Sequence, residues 1–189
     1  MSDDQPTVLI IDDEPDLADL YAAWLDSEYD VRTAYGGEAG LADMDETTDV
    51  ALIDRLMPDL SGDEVLDRVR DEEYECRVAM VTAVEPDFDI IEMGFDDYLV
   101  KPVRRAELNE AVQDLSDRAA YGERLREYYA LSSKRATLDT QKSQRELDES
   151  EAYAELVEEV EQMSDELDEV AADFSPEEFE AELRKLDDG

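Results

Sequence analysis

The stretch VLIIDDEP, residues 8–15, joins four apolar residues to three acidic residues and a proline. An unbroken apolar run rich in Val and Ile is typical of a parallel strand that is buried on both faces. Pro15 can occupy the first turn of a helix. The stretch therefore predicts a strand that ends at Asp12 and Asp13 and is followed at once by a helix.

Four further runs repeat this pattern along the first hundred residues. Amphipathic stretches separate the runs, and the alternation predicts five βα units. An α/β fold with a doubly wound, five-stranded parallel sheet is therefore expected. The runs are DVRTA (30–34), VALI (50–53), RVAMV (77–81) and DYLV (97–100).

The stretches between the runs have the apolar spacing of helices. Only 18 residues separate Thr82 from Lys101, so the helix that Pro86 begins, which ends near Gly94, is expected to be short or distorted. The expected inward faces are Leu17, Leu20, Tyr21 and Trp24 in the first helix, and Val65, Leu66 and Val69 in residues 62–72.

From about residue 104 the pattern is helical throughout. Residues 104–139 have apolar residues at helical spacing, and residues 139–150 are polar, as in a turn or a solvated helix. A capping box at Ser175 then predicts a last helix with Phe179, Leu183 and Leu186 inward. Between them lies a heptad stripe formed by Tyr153, Leu156, Val160, Met163, Leu167, Val170 and Phe174.

This stripe admits two interpretations. A helical hairpin within one chain is favoured, and a coiled coil between two chains, hence a homodimer, is the alternative. Residues 118–145 contain seven basic and three acidic residues, a net charge of +4, and residues 146–189 have a net charge of −17. Opposite charges on two neighbouring helices favour an antiparallel hairpin.

Polar residues follow the predicted strands where each strand ends. Asp12 and Asp13 follow the first strand, Asp54 the third, Thr82 the fourth and Lys101 the fifth. Ligands of open α/β sheets bind beyond the carboxyl ends of the strands. Three carboxylates gathered there repel one another unless a cation is present, and Mg²⁺ suits carboxylates, water and phosphate oxygens.

Such a site can transfer a phosphoryl group. One carboxylate can act as the nucleophile, while a divalent cation, an ammonium group and a hydroxyl balance the charge on the phosphoryl oxygens. Taken singly, each residue has a simpler interpretation. Asp12 could cap a helix, Lys101 could be a surface lysine, Thr82 a strand-end hydroxyl and Tyr98 a core aromatic.

Four motifs in order resemble the receiver domain of two-component response regulators. They are VLIIDDEP, D-x-x-M-P-x-x-x-G from Asp54 to Gly62, VTA, and DDYLVKP, and the resemblance covers about residues 6–117. It implies a flavodoxin-like sheet of order 2-1-3-4-5 and a phosphoryl group accepted on Asp54 from a histidine kinase.

The resemblance also implies the remaining roles. Asp13, Asp54 and the backbone carbonyl of Leu56 would bind Mg²⁺ directly, and Asp12 would bind it through water. Lys101 would pair with the phosphoryl group. Thr82 and Tyr98 would act as the switch, with Thr82 turning inward to bond the phosphoryl group and Tyr98 following it.

The stretch RAAYGERLREYYALSSKRATLD, residues 118–139, resembles the HalX domain that follows receivers in halophilic archaeal regulators. Two domains are therefore expected: a receiver at 1–117 and an acidic helical output segment at 118–189. We expect signalling by contact with a downstream protein. The alternative is a transcription regulator that binds DNA through the basic stretch 118–145.

An enzyme acting on other substrates is disfavoured, because Leu56 occupies the place where an acid would serve such a phosphatase. The chain has no histidine, so it cannot be a histidine kinase or phosphotransfer protein. It has 56 acidic and 17 basic residues, a net charge of −39. This charge is typical of salt-accumulating cells and argues against general attraction to nucleic acid or membranes. The polar N-terminus and short apolar runs predict a cytoplasmic protein.

Overall fold

The five apolar runs form one parallel sheet in a computed structural model that describes residues 5–173. The strands are β1 (Thr7–Ile11), β2 (Asp30–Ala34), β3 (Val50–Ile53), β4 (Arg77–Thr82) and β5 (Asp97–Val100). Their order is β2-β1-β3-β4-β5, and every neighbouring pair is parallel. The predicted fold class is confirmed.

Helices cover both faces of this sheet, which explains the unbroken apolar runs. The helices are α1 (Pro15–Leu25), α2 (Gly37–Asp43), α3 (Gly62–Asp71) and the beginning of α4 (Arg105–Gln141). Val8 and Ile10 pack into a core with residues of α1 and α4, whereas Leu9 and Ile11 pack into a second core with α3. Successive strand residues thus point into opposite cores, so every position of β1 must be apolar or small.

The inward face of α1 differs from the expected one at Leu20. Its buried residues are Ala18, Tyr21 and Leu25, whereas Leu20 is 44% exposed. The expected face contains the largest apolar residues of the helix. The face that packs on the sheet is instead the one with the small residue Ala18, where the helix can come close, and Leu20 consequently points toward solvent.

The connection between β4 and β5 contains only a short 3-10 helix, Phe88–Glu92. The expectation of a short fourth helix is confirmed. Asp87 begins this helix, since its side chain accepts a hydrogen bond from the Phe88 amide at 2.7 Å. None of the five helical residues is buried, and Phe88 is 85% exposed.

The chain divides after Ala119 into two compact units, and the second begins at Ala120. Within the second unit, the rest of α4 is followed by α5 (Gln144–Asp148) and α6 (Glu151–Asp173). Tyr121 and Leu125 pack against Leu167, while the Tyr153 hydroxyl donates to the Asp139 carboxylate. The part of α4 that begins the second unit therefore meets the end of α6, and the end of α4 meets the beginning of α6, which confirms an antiparallel hairpin.

One expectation for this hairpin is wrong. The inward stripe includes Val170, but Val170 is 41% exposed and Ala171 packs against the cluster instead. A straight helix has 3.6 residues per turn, so a strict heptad stripe drifts off the contact line. The stretch 139–150, expected to be a turn or a solvated helix, contains the short and mostly exposed α5, in which Leu147 is buried. Phe174 and the helix expected after Ser175 lie outside the described residues.

Within residues 5–173, each helix is too short or too polar to cross a membrane.

Candidate functional site

The acidic residues meet because β1 and β3 are neighbours in register. Ile11 pairs with Ile53, so the residues that follow, Asp12 and Asp54, lie side by side. The Asp54 amide donates to the Ile11 carbonyl at 2.9 Å, which continues the ladder past the strand ends. Carboxylate oxygens of Asp12, Asp13 and Asp54 all lie within 4.8 Å of one another. Asp12 and Asp54 are buried and Asp13 is half-buried.

Lys101 reaches this cluster from the end of β5. Its amide donates to the Thr82 carbonyl at 2.8 Å, which keeps it in line with β4. Its ammonium group donates to Asp12 Oδ2 at 2.8 Å and to Asp54 Oδ2 at 3.0 Å. Burial by itself would lower the pKa of Lys101, but hydrogen bonds and negative charge from the two carboxylates outweigh it and raise the pKa. The group therefore stays charged.

The remaining carboxylate oxygens are held by the backbone. Asp12 Oδ1 accepts from the Glu14 amide at 2.9 Å, and Asp54 Oδ1 accepts from the Leu56 amide at 3.3 Å. Three carboxylates and one ammonium group leave about two negative charges in a small volume if all are ionised. An oxygen-rich donor set of this charge fits a divalent cation such as Mg²⁺.

The loop after Asp54 comes back against the end of β3 at Gly62. The Gly62 amide donates to the Arg55 carbonyl at 2.9 Å. A Cβ at Gly62 would collide with the backbone carbonyl of Asp54, so this position requires glycine. Ser61 then begins α3 with a capping box closed by Glu64. Leu56 lies in this loop with its side chain exposed.

The two expected switch residues are connected through Val84. Thr82 is fully buried at the end of β4, and its hydroxyl accepts from the Val84 amide at 3.3 Å. The Tyr98 hydroxyl donates to the Val84 carbonyl at 2.7 Å. The ring of Tyr98 is half-buried beside Phe95, with centroids 5.5 Å apart. Tyr98 is thus already turned toward the core.

Arg55 is a member of this region that the sequence did not reveal. Its guanidinium pairs with Asp63 on α3, with Nε to Oδ1 at 2.9 Å, and with Asp89 on the 3-10 helix. Hydrogen bonds to these two carboxylates raise the pKa of Arg55. The partners lie 8 and 34 residues away. Arg55 lies in a loop, outside any helix or strand, so no periodic pattern relates it to these partners.

Two family models match the chain. The model of the response regulator receiver domain matches residues 8–113, and the model of the HalX domain matches residues 117–183. A candidate transcriptional regulator of Haloferax volcanii is 50% identical over 153 residues, 80% of this chain and 26% of that protein. The transcriptional regulatory protein CpxR of Klebsiella pneumoniae is 33% identical over 120 residues, 61% of this chain and 51% of that protein.

A solved structure is similar over the same extent. The response regulator TrrA of Thermotoga maritima, crystallised in complex with Mg²⁺ and BeF, is 30% identical with a TM-score of 0.52. The match covers 59% of this chain and 99% of that one. The chain thus spans about a quarter to a half of the two regulators above and nearly all of this receiver. This chain belongs to the response regulator receiver family, and a HalX domain follows its receiver.

Proposed function

We propose that the chain is a phospho-accepting switch of a two-component phosphorelay. The observation that supports this most strongly is the Lys101 ammonium group held between the carboxylates of Asp12 and Asp54. A site that accepts a phosphoryl group needs a cation for the new phosphoryl oxygens, and acidic residues alone cannot supply one. Once one carboxylate becomes an acyl phosphate, new negative oxygens appear beside a cation that is already in place.

The reaction proposed is transfer of a phosphoryl group from a kinase phosphohistidine. An oxygen of Asp54 forms a bond to phosphorus, the phosphorus–nitrogen bond breaks, and the histidine nitrogen keeps the electron pair. Lys101 then pairs with a phosphoryl oxygen, and the Thr82 hydroxyl donates to another. Buried surroundings at Asp54 and Thr82 strengthen both interactions by limiting water.

Asp12, Asp13, Asp54 and the backbone carbonyl of Leu56 would hold Mg²⁺. When bound, the cation neutralises carboxylate repulsion and the charge that develops on the phosphoryl oxygens. The Mg²⁺ and BeF complex of the similar Thermotoga receiver supports this choice of metal. Leu56 offers no side-chain acid, so the chain would act on its own phosphoryl group and not as an enzyme for other substrates.

Phosphorylation of Asp54 is tested with acetyl phosphate and Mg²⁺, read by mass spectrometry of the intact chain. Wild type should gain the mass of one phosphoryl group, and Asp54→Asn should gain none. Asp59→Asn is the matched control, because Asp59 is an exposed acid of the same loop whose φ of 68° suits asparagine. Equal phosphorylation of Asp54→Asn at another residue would overturn the assignment.

For output we propose protein contact through the helical hairpin. The apolar cluster of Tyr121, Leu125 and Leu167 holds two helices together, which leaves their outer faces available to a partner. A homodimer through α6 would use the same outer faces. At about 1 M salt the Debye length is about 3 Å, so apolar contact is better suited than charge to recognition in a salt-rich cell.

DNA binding is the second candidate, because the Haloferax relative and CpxR are named as transcriptional regulators. The stretch 118–145 supplies the basic residues. The test is footprinting on the gene's own upstream region at high salt with phosphorylated protein. A sequence-specific footprint that is lost when Arg124, Arg126, Lys134 and Arg135 are neutralised would establish DNA binding in place of protein contact.

A further inference from the structure

Arg55 connects three parts of the receiver that no strand pairing joins. It directly follows the proposed acceptor Asp54, and its guanidinium binds Asp63 at the start of α3 and Asp89 in the 3-10 helix 88–92. The contact with Asp63 is two-pronged, with Nε to Oδ1 at 2.9 Å and Nη2 to Oδ2 at 3.1 Å. Such paired hydrogen bonds define the orientation of both groups.

The Arg55 side chain is only 11% exposed, whereas its two acidic partners are about half exposed. Water and salt therefore reach the ion pairs from one side. An exposed pair would contribute almost nothing at high ionic strength, but a pair with a buried cation is screened less. The arrangement can consequently hold its geometry in the salt that the composition implies.

The segment between β4 and β5 is anchored at two points. At the far end, Arg70 donates to the Gly94 carbonyl at 2.9 Å and to the Asp96 carboxylate at 3.2 Å. At the near end, Arg55 binds Asp89. No residue of the 3-10 helix is buried, whereas Met93 and Phe95 after it pack against the second core. The position of the 3-10 helix itself therefore depends mainly on the contact of Asp89 with Arg55.

The connection that Arg55 binds also joins the switch residues. Asp89, the partner of Arg55, lies five residues after Val84 in this connection. Tyr98 donates to the Val84 carbonyl, and the Val84 amide donates to the Thr82 hydroxyl. Polar contacts thus join Tyr98 and Thr82 through Val84, and Arg55 binds the same connection at Asp89.

We propose that Arg55 is a positioning residue. By binding the 3-10 helix it holds the connection that carries Val84, and with it Tyr98, in the arrangement that lets the Thr82 hydroxyl donate to the phosphoryl group on Asp54. This inference rests on the proposed phosphorylation of Asp54. The Val84 amide occupies one of the two lone pairs of the Thr82 hydroxyl and leaves its proton available for donation. A phosphoryl oxygen on Asp54 is a suitable acceptor. Without Arg55, binding must first order the segment, and the ordering entropy weakens the phosphorylated state.

The test measures the affinity for beryllofluoride, a mimic of the phosphoryl group, at saturating Mg²⁺ by calorimetry. Arg55→Gln should weaken beryllofluoride binding by roughly fivefold to tenfold, as expected for coupling between connected groups. Its affinity for Mg²⁺ alone should stay within about twofold of wild type, a spread below typical coupling effects. Asp89→Asn should likewise weaken beryllofluoride binding and leave Mg²⁺ binding unchanged. Arg55→Lys should bind beryllofluoride more tightly than Arg55→Gln, since lysine keeps the positive charge but cannot form the paired hydrogen bonds of a guanidinium group.

Two further comparisons sharpen the result. The double variant Arg55→Gln with Asp89→Asn should be no weaker than Arg55→Gln alone, because both changes break one contact. Arg32→Gln is the matched control, since it removes an ion pair with Asp45 at 3.0 Å between β2 and the loop after α2. It should leave beryllofluoride binding unchanged.

The outcomes separate this inference from the proposed function. If wild type binds no beryllofluoride with Mg²⁺, the phosphoryl switch itself is wrong, and the role of Arg55 falls with it. If wild type binds and Arg55→Gln or Asp89→Asn binds equally well, Arg55 is not a positioning residue. Additive losses in the double variant would also overturn the proposal. Should Arg55→Gln not fold, Arg55→Lys and Asp89→Asn decide by the same criteria.

Discussion

At the scale of single residues, the positive charge of Lys101 has two effects on the acidic cluster. It neutralises part of a buried acidic cluster, with Nζ 2.8 Å from Asp12 and 3.0 Å from Asp54. It is also positive, so it repels a second cation at the same carboxylates. Lys101 therefore has two roles that can be separated by experiment: neutralising the acidic cluster, and the proposed pairing with a phosphoryl group on Asp54.

Replacing Lys101 with alanine should separate them. We expect Mg²⁺ to bind Lys101→Ala as tightly as wild type or more tightly, because a competing positive charge is gone. Beryllofluoride affinity should fall by about tenfold or more, since a hydrogen bond between charged groups contributes about 1.5–3 kcal/mol. Calorimetric titrations of both ligands measure this. Loss of Mg²⁺ binding together with normal beryllofluoride binding would show that the roles are wrongly assigned.

At the scale of elements, the C-terminal cap of α3 has a glutamate at the position where glycine is usual. The Tyr74 amide donates to the Val69 carbonyl and the Glu73 amide to the Arg70 carbonyl, a Schellman arrangement. Its left-handed position is Glu73, with φ of 58°. Glycine normally occupies this position because a Cβ crowds the backbone there.

Glu73→Gly should therefore stabilise the chain by about 0.5–1 kcal/mol, which is the left-handed penalty less the entropy that glycine loses on folding. Chemical denaturation at high salt provides the measurement. Glu72→Gly is the matched control and should destabilise, since Glu72 caps α3 with φ of −83° and has no such penalty to relieve. A lower stability of Glu73→Gly would mean that the side chain makes a favourable contact.

The helix α6 offers a second comparison at this scale. Leu167 is buried against Tyr121 and Leu125, whereas Val170 is 41% exposed. Leu167→Ala should lower the free energy of unfolding of the hairpin by about 2 kcal/mol or more. Val170→Ala should change it by less than about 0.5 kcal/mol. Thermal unfolding followed by helical circular dichroism distinguishes them, and equal effects would refute the described stripe.

At the scale of the whole molecule, a net charge of −39 on 189 residues dominates the response to salt. At about 0.1 M salt the Debye length is about 10 Å, and acidic neighbours repel across the surface; at 1 M it is about 3 Å. The melting temperature should therefore fall by several degrees when salt is lowered from about 2 M to about 0.1 M.

Measurements at about pH 4 are the control, because many carboxylates are then protonated and the dependence on salt should shrink. A melting temperature that does not change with salt at neutral pH would show that the acidic surface does not destabilise the fold. A dependence that is equally strong at both pH values would point to a general effect of salt on apolar burial.

The sequence by itself determined five parallel strands and the residues at their carboxyl ends, and its resemblance to receiver domains implied the order of the strands. The strands and their ends follow from short-range patterns: apolar runs such as residues 8–11, and the motifs at Asp12, Asp54 and Lys101. Each pattern reports the burial or the backbone geometry of its own few residues, so it can be interpreted without knowing the neighbours.

Only the tertiary structure decided which face of a helix is buried and which distant charges meet. Leu20 turned outward because the sheet accepts the side of α1 where Ala18 allows close approach. Arg55 forms ion pairs with Asp63 and Asp89 because the loop after β3, the start of α3 and the short 3-10 helix lie close together in space. Contacts of this kind depend on the packing of whole elements. Packing is a property of the assembled chain, and no local repeat in the sequence encodes it.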